Sequence, residues 1–386
     1  DACGFHTSEK VLKFPERTVL NVYASRAAIT RSLLLLNEVA EIRRAKDTAE
    51  FFDALAPLEQ REWVENLLER TTPAGDDSIR VCLLDTGVNR GHPLLAHHID
   101  ANDLYTVNHN WGVADTTGHG TQLAGIALYG DLFDPLNGQN PISIEHRLES
   151  VKLLPAAQGN QKEPYGALMI DAVTQPDTAK PEVRRVYSMA ITSLDDRDRG
   201  RPSAWSAAVD ELASDVLGER ANPRLIVVSA GNADKNQATH YPHNTTTDGI
   251  HDPAQAWNAL CVGAYTQKVT IDPPNPGLRP IAAAGSLSPY STTSGTWSNS
   301  AWPLKPDVVF EGGNLATDGQ QAYTEPCLSL VTTAHEPEQR LLTTTSATSA
   351  ASALAARMAA QVSTSYPQFW PETVRALIVH SAEWPD

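Results

Sequence analysis

What most constrains this chain is a series of short, mostly apolar runs set between longer stretches whose apolar residues recur at helical spacing. The runs cover residues 81–84, 150–154, 185–191, 225–229 and 260–264. Runs without strict polar alternation suit strands that are covered on both faces, the condition of a parallel sheet. Helical patterns fit between them, for example over 165–173 and 204–217. Such alternation predicts an α/β fold: a doubly wound, mostly parallel sheet flanked by helices, with its site beyond the carboxyl ends of the strands. Two helices are expected to close the chain. One is an alanine-rich stretch over 349–362, and the other covers 371–382 and opens on Pro371, whose missing N–H costs nothing in a first turn.

Ahead of this pattern lies a different one. Residues 18–23 read as a strand, 26–39 as a helix, 41–44 as a second strand and 48–69 as helical with a break near Pro57. Residues 71–78 are polar and turn-rich, as a linker would be. The expected organisation is a small α+β unit over 1–75 followed by a main domain over 79–386, and 386 residues leave room for both.

Composition removes several functions. A net charge of −16 argues against nucleic-acid partners, which need a surplus of basic residues on one face. The longest aliphatic run, Leu33 to Leu36, falls far short of the roughly 18 apolar residues of a membrane span. No membrane partner is expected. Cys3, Cys82, Cys261 and Cys327 form no CxxC pair, and Cys82 and Cys261 sit inside apolar runs, so reduced core thiols are expected rather than a disulfide framework. On that ground the expected location is cytoplasmic, with secretion as the alternative; the chain starts at Asp1, without Met or a leader pattern, as a processed chain or a fragment would.

Four stretches carry chemistry. The run from Val81 ends in Asp85, Thr86 and Gly87, so a carboxylate stands at a strand's carboxyl end, where it can orient an imidazole; the alternative reading is a turn or cap aspartate. His119, between Gly118 and Gly120, opens a helix of small residues, which fixes one ring nitrogen and frees the other to take a proton. Ser349 lies in the first turn of the alanine-rich helix, where backbone N–H groups have no helical acceptor and can meet a developing oxyanion; the alternative is a plain N-cap by Ser346 or Ser349. Asn232 follows the run 225–229 and Ala230-Gly231, and its amide can donate to the same oxyanion, although asparagine after glycine is also a common turn signal.

These stretches, in this order, resemble the subtilase family of serine peptidases over about residues 79–383. Asp85-Thr86-Gly87, His92-Pro93, His119-Gly120-Thr121, Ala230-Gly231-Asn232 and Thr348-Ser349 with Ala351 match the family's boxes, and residues 150–154 and 305–309 match its supporting segments. The resemblance implies a serine endopeptidase with Asp85, His119 and Ser349 as triad and Asn232 in the oxyanion hole. It also implies that Ala190, Ile191 and Thr192, with Ala230 and Gly231, bind the peptide substrate. Departures are Ala347 and Ala353 in place of a glycine and a proline, and Gln122 in place of a second histidine. Ala347 is expected to tighten the turn around the nucleophile. Taking Ser346 as nucleophile would lose the alanine match. The chain is most similar to a bacterial, intracellular-type branch. The rival is a catalytically impaired relative acting as a binding or scaffold module, and an esterase using the same triad is a third reading. Residues 1–75 resemble the prosegments that fold with subtilases and plug the cleft, with a permanent subdomain as the alternative. No cofactor is expected; calcium through Asp131 and Asp134 is the open case, because their spacing matches no calcium loop. Partners are a protein or peptide substrate and, because the chain stops where the family's catalytic domain usually finishes, a further C-terminal domain or partner protein.

Overall fold

The computed structural model describes residues 6–13, 18–23, 49–138, 140–155, 164–193, 200–218, 221–272, 274–297 and 302–384. Two compact units divide the chain, Asp1–Asp47 and Thr48–Asp386. In the smaller one β1 (His6–Lys13) pairs antiparallel with β2 (Thr18–Tyr23), and the register shifts between Thr7 and Val11. The strand expected over 18–23 is therefore present. The helix expected over 26–39 and the strand over 41–44 lie outside the described residues.

The larger unit is organised by a seven-stranded sheet whose neighbouring strands all run parallel. Its strands are β3 (Arg80–Asp85), β4 (Leu104–Thr106), β5 (Arg147–Lys152), β6 (Arg185–Met189), β7 (Leu225–Ser229), β8 (Leu260–Tyr265) and β9 (Val308–Glu311). They lie in the order β9-β8-β7-β6-β3-β5-β4, so the sheet grows from β3 toward both edges. All five apolar runs became strands of this sheet.

Both faces are covered, which is why the runs lack polar alternation. Val81 and Leu83 of β3 point into one apolar cluster, with α3 (His119–Tyr129) and α6 (Ala347–Ser365). Cys82 and Leu84 point into the other, with α4 (Tyr165–Ala179) and α5 (Ala204–Ser214). Burying each such aliphatic side chain contributes about 1.5–3 kcal/mol. Cys82 and Cys261 are buried free thiols, as expected, and Cys327 is also free. Near its amino end the sheet also buries charge. Glu149 of β5 pairs with Arg80 at 2.9 Å and with Arg185 at 2.6 Å, and Arg80 reaches Asp103 at 3.1 Å.

The compact units divide ahead of the boundary expected near residue 75. Helices α1 (Ala49–Ala54) and α2 (Pro57–Glu69) belong to the larger unit, because Phe52, Val64 and Leu67 are fully buried in its core. Gln60 of α2 is also fully buried, where its side chain bridges two chain segments. Its amide nitrogen donates to the carbonyls of Phe52 (2.9 Å) and Leu342 (3.2 Å), and its oxygen accepts from the N–H groups of Leu341 (2.8 Å) and Leu342 (3.0 Å). Leu342 opens β11 (Leu342–Thr345), which pairs with β10 (Leu330–Thr333) and runs directly into α6. Helix α7 (Pro371–His380) follows. Among the described residues no helix is long and apolar enough to cross a membrane.

Candidate active site

Asp85 lies at the carboxyl end of a strand, His119 and Ser349 in the first turns of helices, and Asn232 just beyond a strand's carboxyl end. Asp85 ends β3, the point from which the sheet grows in both directions, and its side chain is buried. His119 is the first residue of α3. Its Nδ1 lies 2.7 Å from Oδ1 of Asp85, which also accepts from the Thr86 N–H at 2.8 Å. With Nδ1 donating to the carboxylate, Nε2 is left as the ring's acceptor. The negative charge of Asp85 beside the ring raises the His119 pKa above its ordinary value, against the opposing effect of burial.

The approach of α3 to this turn depends on Gly120. A Cβ there would stand 2.1 Å from the Gly87 carbonyl oxygen, so any side chain would push the histidine's helix away from the aspartate's strand.

Ser349 is the third residue of α6, which packs against α3. Its neighbour Thr348 fixes Asn232. Oδ1 of Asn232 accepts from the Thr348 N–H at 3.1 Å and from the Thr348 hydroxyl at 2.7 Å. With the amide oxygen held, the nitrogen is the group left to donate outward, and it makes no hydrogen bond to any described residue. Asn232 is thereby tied to the turn that carries Ser349. That turn contains Ala347 at φ +73°, in the left-handed region where a side chain is strained. Its N–H donates to the Gly312 carbonyl at 2.6 Å.

Ala190, Ile191 and Thr192 follow β6, and Ala230 and Gly231 follow β7, so the two stretches sit at the ends of adjacent strands. Both touch His251, which the sequence reading did not single out. Thr192 Oγ1 lies 3.4 Å from its Nδ1, and Gly231, at φ +94°, leaves no space for a Cβ because His251 Cγ would be 2.3 Å away. His92 is fully buried: Nδ1 accepts from the Leu94 N–H, Nε2 reaches the Leu341 carbonyl, and burial lowers its pKa to about 4. It braces the core rather than the site.

A second unanticipated residue is Asp115. Its buried carboxylate accepts hydrogen bonds from the N–H groups of Thr117, Gly118 and Thr121. Burial opposes its ionisation, but these donors outweigh it, and the carboxyl is held below its usual range. The usable signal was an aspartate just ahead of a helix that opens on a glycine cap. Asp131 does not suit calcium: Oδ1 accepts from the Phe133 and Val331 N–H groups and Oδ2 pairs with Lys268 at 2.7 Å. Among the described residues no set of three or more acidic, histidine or cysteine side chains is arranged to hold a metal.

Residues 76–385 match the model of the subtilase family, and the chain belongs to that family. It is 31% identical over 216 residues to the uncharacterized protein y4bN of Sinorhizobium fredii (strain NBRC 101917 / NGR234), covering 50% of this chain and 48% of that protein. It is 26% identical over 237 residues to a subtilisin of Bacillus sp. (strain TA39), covering 59% and 50%. The chain thus spans about half the length of these relatives. Among solved structures, S41 psychrophilic protease superimposes with a TM-score of 0.52 at 23% identity, covering 81% of this chain and 85% of that one. A lanthipeptide protease does so at 0.51 and 19%, covering 88% and 92%. These likenesses establish the fold.

Proposed function

We propose that the protein is a serine endopeptidase in which Asp85, His119 and Ser349 form the triad and Asn232 with the Ser349 N–H forms the oxyanion hole. The observation that carries this reading is the 2.7 Å contact of His119 Nδ1 with buried Asp85, which leaves Nε2 as a base. As the Ser349 oxygen bonds to the scissile carbonyl carbon, its proton passes to Nε2 of His119. The carbonyl oxygen becomes an oxyanion, met by the Asn232 amide N–H and the Ser349 backbone N–H. On collapse the C–N bond breaks and the proton on Nε2 goes to the leaving amine. Water then attacks the acyl-enzyme, gives its proton to the same nitrogen, and the product acid leaves as Ser349 recovers its hydrogen. Asp85 holds the ring throughout. Peptide backbone runs along residues 190–192 on one side and 230–231 on the other.

The test is labelling by a fluorophosphonate and hydrolysis of a peptide substrate. Wild-type protein is expected to do both, Ser349→Ala neither, and Ser346→Ala to keep labelling. A wild-type protein that stays unlabelled, or a Ser349→Ala variant that labels while Ser346→Ala does not, would overturn the assignment.

A further inference from the structure

Helix α3 carries His119 at its first position, yet the residue before it, Gly118, has no side chain with which to cap the helix. The first-turn N–H groups still need acceptors. Asp115 supplies acceptors for two of them, those of Gly118 and Thr121, from outside the helix. Its Oδ1 accepts from the N–H groups of Thr117 and Gly118, both at 2.9 Å, and its Oδ2 from the Thr121 N–H at 2.9 Å and the Thr121 hydroxyl at 2.7 Å. The Thr117 hydroxyl reaches Oδ1 at 3.0 Å.

The same carboxylate is joined to the aspartate of the dyad. The Thr86 hydroxyl stands 3.1 Å from Asp115 Oδ1 and 3.2 Å from Asp85 Oδ1, and it accepts from the Gly120 N–H at 3.1 Å. Asp85, Thr86, Asp115 and the residues on either side of His119 therefore form a closed ring of hydrogen bonds with the histidine inside it. The loop that presents Asp115 is anchored in turn. Lys152, buried at the end of β5, donates to the Ala114 carbonyl at 2.7 Å. The charged or titratable groups around Asp115 include His119, whose protonated form its charge favours, Asp85 through Thr86, Lys152 through Ala114, and His335, which lies against Gly118.

We propose that Asp115 is a positioning residue for the peptidase reaction: it fixes the amino end of α3 so that His119 is presented to Asp85. This inference rests on the triad reading above. Asp115 acts through its hydrogen bonds to the amino end of the helix and to Thr86. A helix end free to shift by about 1 Å would cost on the order of 100-fold in turnover, because the proton acceptor must meet the nucleophile in a narrow geometry.

The test uses the full chain with Asp115→Ala and Asp115→Asn. Three readouts are needed: kcat and KM on a peptide, thermal stability, and the far-downfield NMR resonance of the His119 Nδ1 proton, identified by its absence in His119→Ala. Asp115→Ala is expected to lower kcat by about 100-fold with KM within about twofold, and to shift or broaden the resonance. Asp115→Asn, which keeps one acceptor oxygen, is expected to lose about 10-fold. A folded Asp115→Ala variant with kcat within about threefold of wild type and an unmoved resonance would overturn the proposal. So would a loss of activity that merely tracks the fraction unfolded. If Asp115→Ala fails to fold, Asp115→Asn decides by the same criteria. If Ser349→Ala keeps hydrolysing peptide, the triad reading fails, while the resonance still reports whether Asp115 holds the Asp85–His119 pair.

Discussion

Three histidines buried outside the site set an acid limit on this fold. His92, His98 and His146 are each nearly inaccessible, and for each burial drives the pKa from the ordinary 6.5 to about 4. His98 is lowered further by the nearby charge of Arg147, and His92 and His146 each direct Nε2 at a carbonyl, Leu341 at 2.7 Å and Ala127 at 2.8 Å. In all three the folded state binds a proton less readily than the unfolded chain. Stability is therefore intact above pH 6.5 and falls as the pH drops from there toward 4. At pH 5 an unfolded histidine is almost fully protonated and a folded one about one-tenth so, which amounts to roughly 2 kcal/mol per residue and about 5–6 kcal/mol for the three. That is comparable with the whole stability of many domains. His119 acts in the opposite sense: its pKa is raised, so its contribution is present below pH 6.5 and lost as the pH climbs through the folded value. The measurement is urea unfolding of the Ser349→Ala protein, which avoids self-digestion, at intervals from pH 7 to pH 5. His92→Gln keeps a donor and an acceptor but cannot titrate, so it should reduce the slope by up to about 1.4 kcal/mol per pH unit. An unchanged slope in that variant would refute the argument.

Two further substitutions test the packing along the segment that runs through β11 into α6. Ala347→Gly should stabilise the larger unit slightly, because relief of about 1–2 kcal/mol of left-handed strain exceeds the roughly 0.4–1 kcal/mol of added unfolded-chain entropy; calorimetry should show a rise in Tm, and a fall would contradict it. Gln60→Ala should cost about 3 kcal/mol or more, since it takes this partner from the Phe52 carbonyl and from the Leu341 and Leu342 N–H groups and opens a cavity beside β11, while the Leu342 carbonyl keeps the Arg340 guanidinium at 2.9 Å. Chemical denaturation measures that loss, and a value below about 1 kcal/mol would mean the bridge is redundant.

Most of the sheet was legible because burial on both faces leaves a local trace, as in Val81 to Leu84. Asp85, His119 and Asn232 were legible for a related reason: each follows a strand or opens a helix beside a glycine that permits close approach. Ser349 could be placed in a first turn, and the match of Ala351 to the family's box separated it from Ser346. Other features left little trace. β4 is three residues long, and β1 alternates too few apolar side chains to stand out. The polar stretch 71–78 looked like a boundary, yet Phe52, Val64 and Leu67 find their partners far along the chain, and a glutamine such as Gln60 reads as a surface residue. Asp115 escaped because its partners are backbone N–H groups and threonine hydroxyls, and a sequence does not display which carboxylate will meet them.

The way α2 is stitched to β11 changes what limited proteolysis can do. A nick within residues 73–78 cuts only a surface connection, since Thr71 and Thr72 are already paired in register with Ile142 and Ser143 and Gln60 is gripped further upstream. The two pieces would stay associated as a complemented whole, and a clipped sample would run as two bands on a denaturing gel while remaining one particle in solution. Ala49 and Phe52 are themselves buried, so trimming that removes them would open the core.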